Sequence, residues 1–76
     1  MSVSIYTTNS CPYCHMAKDY FRKKGISYTE YNIGADPRRA DEMVRKSGQM
    51  GVPVIDINGR IIVGFDKAEI DKALGG

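Results

Sequence analysis

The chain has 76 residues, a formal net charge of +2 and 42% hydrophobic residues, which suits one small globular domain over residues 1–76 and leaves no room for a second. This composition excludes a disordered chain, and the weak positive charge gives no reason to expect nucleic-acid binding. No apolar run approaches the ~20 residues of a membrane span, and the N-terminus lacks a signal-peptide pattern. We therefore expect a protein of the reducing cytoplasm that binds no membrane, and a monomer, because no motif calls for a partner.

The first predicted strand, Val3–Thr7, leads through a short polar loop to Cys11 and Cys14, the two cysteines of the chain. A helix is predicted from these cysteines to about Lys24. Unpaired N–H groups and the positive end of the helix dipole favour a negative charge at a helix start. We therefore expect the pKa of the Cys11 thiol to lie below its usual value of about 8.5. A thiolate attacks disulfides, so in a reducing compartment this pair indicates catalysis or metal binding.

Apolar residues recur along this helix at the spacing of one helical face, which predicts that they pack in the core. Pro12 suits the first helical turn, and Gly25, after a basic helix end, predicts the C-terminus. The predicted inner face consists of Tyr13, Met16, Ala17 and Tyr20, with Phe21 beside them.

A second strand is predicted over Ile26–Ile33, which is rich in aromatic and β-branched residues. Asp36 is the predicted N-cap of a second helix, which begins at Pro37 because proline fits the first helical position. The predicted inner positions of this helix are Ala40, Met43 and Val44.

The last third of the chain predicts a hairpin and a helix. Pro53–Ile57 alternates as a third strand, and Asn58-Gly59 is a strong signal for a tight turn into a fourth strand, Arg60–Val63. Asp66 and Glu69 form a capping-box pattern for the last helix. The order β-α-β-α-β-β-α predicts an α/β fold with a mixed four-stranded sheet and helices on both faces.

The Cys11-Pro12-Tyr13-Cys14 motif, which follows the first strand and precedes His15, resembles the active site of the glutaredoxin family of thioredoxin-like proteins. The Val52-Pro53 and Gly64-Phe65-Asp66 segments and the short length extend this resemblance over essentially the whole chain. The resemblance implies a thiol–disulfide oxidoreductase that reduces protein disulfides or glutathione mixed disulfides. It also implies that glutathione is the co-substrate and that no cofactor is bound.

The resemblance assigns roles to individual residues. Cys11 is the implied exposed nucleophile and Cys14 the more buried resolving thiol, and together they form the redox-active disulfide. Pro53 is the implied cis-proline facing that disulfide, and Val52 is implied to pair its backbone with the substrate's cysteine. The implied substrate-binding and glutathione-binding residues are Tyr13, Val52, Pro53, Gly64, Phe65 and Asp66.

Three positions depart from the glutaredoxin pattern. Thr8 stands where many members have a lysine that binds the glycyl carboxylate of glutathione, Gly51 where threonine is usual, and Val63 where a glycine is usual. These differences weaken the implied glutathione site. Arg38 or Arg39 is the predicted replacement for the lysine, and Arg39 is the one we assign to the site.

Two alternatives remain open from the sequence. Gly64-Phe65 also resembles the last turn of the NrdH-redoxins, which thioredoxin reductase reduces and which donate electrons to ribonucleotide reductase. Some glutaredoxins instead carry a [2Fe–2S] cluster between two chains, with glutathione as co-ligand. Within one chain we predict no metal site, because the two cysteines and His15 fall short of four converging ligands.

Overall fold

The computed structural model describes residues 2–75, so both ends of the predicted 1–76 domain, residues 1 and 76, lie outside the described part. The predicted order β-α-β-α-β-β-α is confirmed. The elements are β1 Val3–Thr7, α1 Pro12–Lys23, β2 Thr29–Asn32, α2 Pro37–Ser47, β3 Val54–Ile57, β4 Arg60–Val63 and α3 Lys67–Ala73.

The four strands form one mixed sheet in the order β2-β1-β3-β4. β1 and β2 are parallel, whereas β3 runs antiparallel to both β1 and β4. The register pairs Tyr6 with Val54 and Val54 with Val63. The ends of β1 and β4 therefore lie beside the start of β3, so the loops that follow or precede these strands all leave one end of the sheet.

Helices cover both faces of the sheet, as predicted. Alternation along β1 directs Val3 and Ile5 to one face, where they pack with α1 and α3, and directs Tyr6 to the other face, where it packs with Met43 of α2. Burying each large apolar side chain contributes roughly 1.5–3 kcal/mol. The fold is thus the predicted three-layered, thioredoxin-like arrangement.

The second strand is shorter than the predicted Ile26–Ile33. The backbone N–H of Ile26 donates to the carbonyl of Phe21 at 2.9 Å and closes the end of α1, so Ile26 is not free to begin a strand. Ile26 and Tyr28 still pack against the core beside α1 without pairing in the sheet. β3 likewise begins at Val54 rather than at Pro53, because proline has no N–H to donate to a ladder.

The prediction that Tyr13 and Met16 face the core is wrong. Their side chains are 61% and 47% exposed, and the buried residues of α1 are Cys14, Ala17 and Phe21. Tyr13 and Met16 each precede a buried residue by one position, which rotates them by about 100° around the helix axis. Tyr20 is half-buried, and Met43 in α2 is 1% exposed, as expected of a core residue.

The two predicted N-caps are present, but the capping box is only half formed. Asp36 accepts from the N–H groups of Arg38 and Arg39 at 3.2 and 3.4 Å, and Asp66 accepts from Glu69 N–H at 3.2 Å. The Glu69 carboxylate does not return the bond, because it accepts from Arg60 at 2.6 Å. Along residues 2–75, no helix combines the length and the apolar character needed to cross a membrane.

Candidate active site

Cys11 and Cys14 lie where β1 leads into α1. Cys11 is the N-cap of α1, and its Sγ accepts a hydrogen bond from the backbone N–H of Cys14 at 3.1 Å. The two sulfurs form a disulfide, with the Cα atoms 5.2 Å apart. The helix start therefore offers a backbone N–H to the sulfur that the resemblance assigns as the nucleophile.

The expectation of an exposed Cys11 needs correction. Cys11 is only 6% exposed and Cys14 is fully buried. The side chain of Cys11 folds onto the first turn of α1 to accept from Cys14 N–H, and only a small part of the residue remains exposed. The order of exposure, with Cys11 more exposed than Cys14, still agrees with the assigned roles.

Val52 and Pro53 precede β3 at the same end of the sheet. The Val52–Pro53 peptide bond is cis, as the resemblance implied, and Pro53 is fully buried. The carbonyl of Pro53 accepts from the N–H of Gly64 at 2.8 Å. Among residues 2–75, no hydrogen bond uses the backbone N–H or C=O of Val52.

The turn Gly64-Phe65-Asp66 follows β4 and leads into α3. Gly64 has a φ of +80°, a conformation that favours glycine. The half-buried Phe65 ring meets the Tyr20 ring edge-on, with centroids 5.7 Å apart, so the turn is held against α1. Asp66 is exposed and caps α3.

Exposed Tyr13 occupies the first turn of α1, beside the cysteines. The loops carrying Cys11, Val52 and Gly64 all leave the same end of the sheet. The sequence-predicted site residues of these loops therefore lie at this end. Arg39 is in the first turn of α2, which follows the end of β2 at the same end of the sheet, because β2 runs parallel to β1.

Arg39 is already engaged by neighbouring side chains. Its Nη1 donates to both carboxylate oxygens of Glu42 at 3.1 Å, and its guanidinium stacks over Tyr31 at 4.0 Å from the ring centroid. Hydrogen bonds from Tyr6 and then from Arg39 hold the pKa of the Glu42 carboxyl below its usual value. A ligand carboxylate at Arg39 would share the guanidinium with Glu42, and Arg38 is the more exposed alternative.

A polar cluster that the sequence did not predict lies under the first turns of α1. Buried Thr7 donates to Glu30 Oε2 at 2.7 Å, and Lys18 Nζ donates to the same oxygen at 2.9 Å. The bond from Lys18, followed by the bond from Thr7, lowers the pKa of the Glu30 carboxyl. The only signal in the sequence was the position of Lys18, one helical turn after Cys14.

Within residues 2–75, no group of three or more His, Cys, Asp or Glu side chains is arranged to hold a metal ion. His15 lies on the exposed side of α1, next to buried Cys14.

Comparison with known proteins gives consistent matches. The glutaredoxin family model matches residues 3–62. An uncharacterised glutaredoxin-like 8.6 kDa protein of the rubredoxin operon of Clostridium pasteurianum is 47% identical over 72 residues, covering 95% of this chain and 96% of that protein. Glutaredoxin 3 of Escherichia coli is 40% identical over 75 residues, covering 99% of this chain and 90% of its own length. The solved structure of the glutaredoxin-like protein NrdH-redoxin from Escherichia coli superimposes with a TM-score of 0.85 at 28% identity, covering 95% of this chain and 93% of that one.

Proposed function

Because this chain belongs to the glutaredoxin family of thiol–disulfide oxidoreductases, we propose that its Cys11–Cys14 dithiol reduces protein disulfides and glutathione mixed disulfides, with glutathione as the reductant. The observation that carries this proposal is the backbone of Val52, which has no partner among residues 2–75 and adjoins cis-Pro53. An extended cysteine-containing peptide can add to it like a short strand, as in β-augmentation. Glutathione and an extended protein segment both carry such a backbone.

The reaction on a protein disulfide begins with the Cys11 thiolate, which attacks one sulfur of the substrate disulfide. A Cys11–substrate mixed disulfide forms and the other substrate sulfur leaves as a thiolate. The Cys14 thiolate then attacks Cys11 Sγ, which releases the second substrate thiolate and closes the Cys11–Cys14 disulfide. Because Cys14 is fully buried, it acts on the Cys11–substrate mixed disulfide rather than on the free substrate.

Two glutathione molecules reload the protein in this proposal. The first glutathione thiolate attacks the Cys11–Cys14 disulfide and leaves glutathione bonded to Cys11, with Cys14 reduced. The second glutathione thiolate attacks the glutathione sulfur, which releases oxidised glutathione and the Cys11 thiolate. Tyr13, Gly64, Phe65 and Asp66 are the residues beside which glutathione binds, and Arg38 or Arg39 is the proposed partner of its glycyl carboxylate. This chemistry is suited to a reducing cytoplasm.

A second candidate is the role of an NrdH-like redoxin, reduced by thioredoxin reductase and donating electrons to ribonucleotide reductase. It is favoured by the likeness to the Escherichia coli NrdH-redoxin and by Thr8, which supplies no positive charge for a glutathione carboxylate. The 40% identity to glutaredoxin 3 over nearly the whole chain favours the glutathione-linked role.

The cysteine variants test the proposed chemistry. A glutathionylated peptide is supplied with reduced glutathione, and release of the peptide thiol is followed. Cys11→Ser should abolish release, because it removes the attacking sulfur. Cys14→Ser should retain release, because the second glutathione replaces the resolving step, while reduction of an intramolecular protein disulfide is lost. Loss of peptide release in a correctly folded Cys14→Ser protein would overturn the proposed route.

A further inference from the structure

We propose that Gln49 is a positioning residue that orients the backbone N–H of Val52 for pairing with the backbone of a substrate's cysteine. The inference rests on the proposed pairing at Val52 and concerns the loop that precedes it, between the end of α2 and cis-Pro53. Nothing in the periodicity of the sequence singled out this glutamine, because it lies in an irregular loop.

The Gln49 carboxamide bonds both backbone groups of Gly51. Its Oε1 accepts from Gly51 N–H at 2.5 Å, and its Nε2 donates to Gly51 C=O at 3.0 Å. Ser47 supports the glutamine from the end of α2: its Oγ donates to Met43 C=O at 2.7 Å and accepts from Gln49 Nε2 at 3.3 Å. The loop is therefore anchored to the helix through two side chains.

The bond to Gly51 C=O determines where the next N–H points. The C=O of Gly51 and the N–H of Val52 belong to one planar peptide unit, and in a trans unit they point in opposite directions. The cis bond of this segment is the following one, Val52–Pro53. Holding Gly51 C=O towards Gln49 therefore directs Val52 N–H away from it, and among residues 2–75 that N–H has no hydrogen-bond partner.

Gly51 and Gln49 depend on each other. A Cβ atom at position 51 would lie 2.7 Å from Gln49 Oε1, closer than such atoms approach without a shift. Any larger residue at position 51 would displace the carboxamide. Glycine at position 51, where the glutaredoxin pattern usually has threonine, therefore leaves room for the Gln49 carboxamide.

The other side of Val52 is held by Pro53, whose carbonyl accepts from Gly64 N–H at 2.8 Å. Val52 thus lies between two fixed peptide units. Ordering a binding segment in advance reduces the entropy lost when the ligand binds. This reduction in the entropy cost of binding benefits only ligands that pair with the Val52 backbone. The ordering of Val52 is therefore a determinant of specificity.

The test compares two oxidants of the fully reduced protein in single-turnover experiments, with acid quenching and thiol alkylation. Glutathione disulfide carries peptide backbone, whereas bis(2-hydroxyethyl) disulfide carries none. Gln49→Ala should lower the second-order rate constant for glutathione disulfide by about three- to tenfold, the effect of one hydrogen bond. It should leave the rate constant for bis(2-hydroxyethyl) disulfide unchanged.

Two further variants sharpen the result. Gln49→Glu keeps an acceptor for Gly51 N–H but places an oxygen against Gly51 C=O, so it should show the same selective loss. Asn58→Gly is the matched control, because it removes a carboxamide that accepts a backbone N–H (that of Ser2, at 2.8 Å) in the turn between β3 and β4, at the far end of the sheet. Asn58 has a φ of +52°, which glycine adopts readily, so both rate constants should stay at the wild-type value.

The outcomes separate this inference from the proposed function. If the wild-type protein reacts no faster with glutathione disulfide than with bis(2-hydroxyethyl) disulfide, pairing at Val52 is wrong and the inference falls with it. If the wild-type protein prefers glutathione disulfide but the Gln49 variants slow neither oxidant, or slow both equally, only the inference is overturned. A backbone order parameter for Val52 N–H in the wild-type protein gives a check that needs no variant: a value near 0.85 supports the inference and one below about 0.6 contradicts it.

Discussion

The backbone N–H of Gly64 donates to the carbonyl oxygen of Pro53 at 2.8 Å. This bond joins the turn before α3 to the cis-proline segment before β3. Since Phe65, the next residue, packs edge-on against Tyr20 of α1, the same turn also contacts the helix that carries the cysteines. One short turn therefore connects the three segments of the candidate active site.

Gly64→Ala should weaken both the fold and the site. Gly64 has a φ of +80°, and a left-handed conformation costs a residue with a Cβ about 1–2 kcal/mol. The free energy of unfolding, measured in urea, should fall by about that amount. The rate of reaction with glutathione disulfide should fall as well, because the turn no longer holds Pro53 in place.

Gly25→Ala is the matched control for this substitution. Gly25 also has a positive φ, +70°, and open space around its Cα, but it lies after the far end of α1. It should lose similar stability while keeping the wild-type reaction rate. Equal loss of rate in both variants would show that the Gly64 effect comes from stability alone.

Alkylation of the reduced protein should distinguish the two cysteines. Cys11 is slightly exposed and accepts a hydrogen bond from a backbone N–H at the helix start, whereas Cys14 is fully buried. Limiting iodoacetamide at neutral pH should therefore modify Cys11 first, and peptide mass mapping identifies the site. Equal labelling of both thiols, or preferential labelling of Cys14, would contradict the assigned roles.

Glu30 should make stability depend on pH in the acid range. Lys18 and Thr7 lower the pKa of its carboxyl in the folded protein, below the ~4.3 expected in the unfolded chain. The stabilisation is thus present above about pH 4.3 and is lost as the pH falls through the folded-state pKa. Because the carboxylate is partly exposed, the contribution should stay below about 1 kcal/mol.

Glu30→Gln checks this dependence. The substitution should lower the free energy of unfolding at neutral pH. The difference in this free energy between the variant and the wild-type protein should become smaller as the pH falls. A difference that stays constant from neutral to strongly acid pH would show that the ion pair with Lys18 adds nothing to stability.

Much of the fold followed from local signals. Asp36 and Asp66 are N-caps because each side chain reaches its own helix start, and Asn58-Gly59 forms a turn because both residues adopt positive φ. Such features depend on neighbours in the sequence, so the sequence predicts them. The cis-proline depended on the family resemblance, because few X–Pro bonds are cis and no local signal marks them.

The features that were not predicted depend on distant contacts. The apolar residues of α1 fit two helical faces about 100° apart, and only packing against the sheet decides that Ala17 is buried while Met16 is exposed. The Glu69 carboxylate does not complete the capping box because it forms an ion pair with Arg60 of β4 instead. The Gln49 carboxamide contacts the loop around Gly51, where no periodic pattern exists to indicate it.

The most direct test of the glutathione-linked role follows NADPH consumption during reduction of the Cys11–Cys14 disulfide in two parallel reactions. One contains glutathione, glutathione reductase and a small mixed disulfide, and the other contains thioredoxin reductase. The account predicts turnover in the glutathione reaction, abolished by Cys11→Ser. Turnover only with thioredoxin reductase would contradict it and identify an NrdH-like redoxin, for which ribonucleotide reductase is the substrate to test.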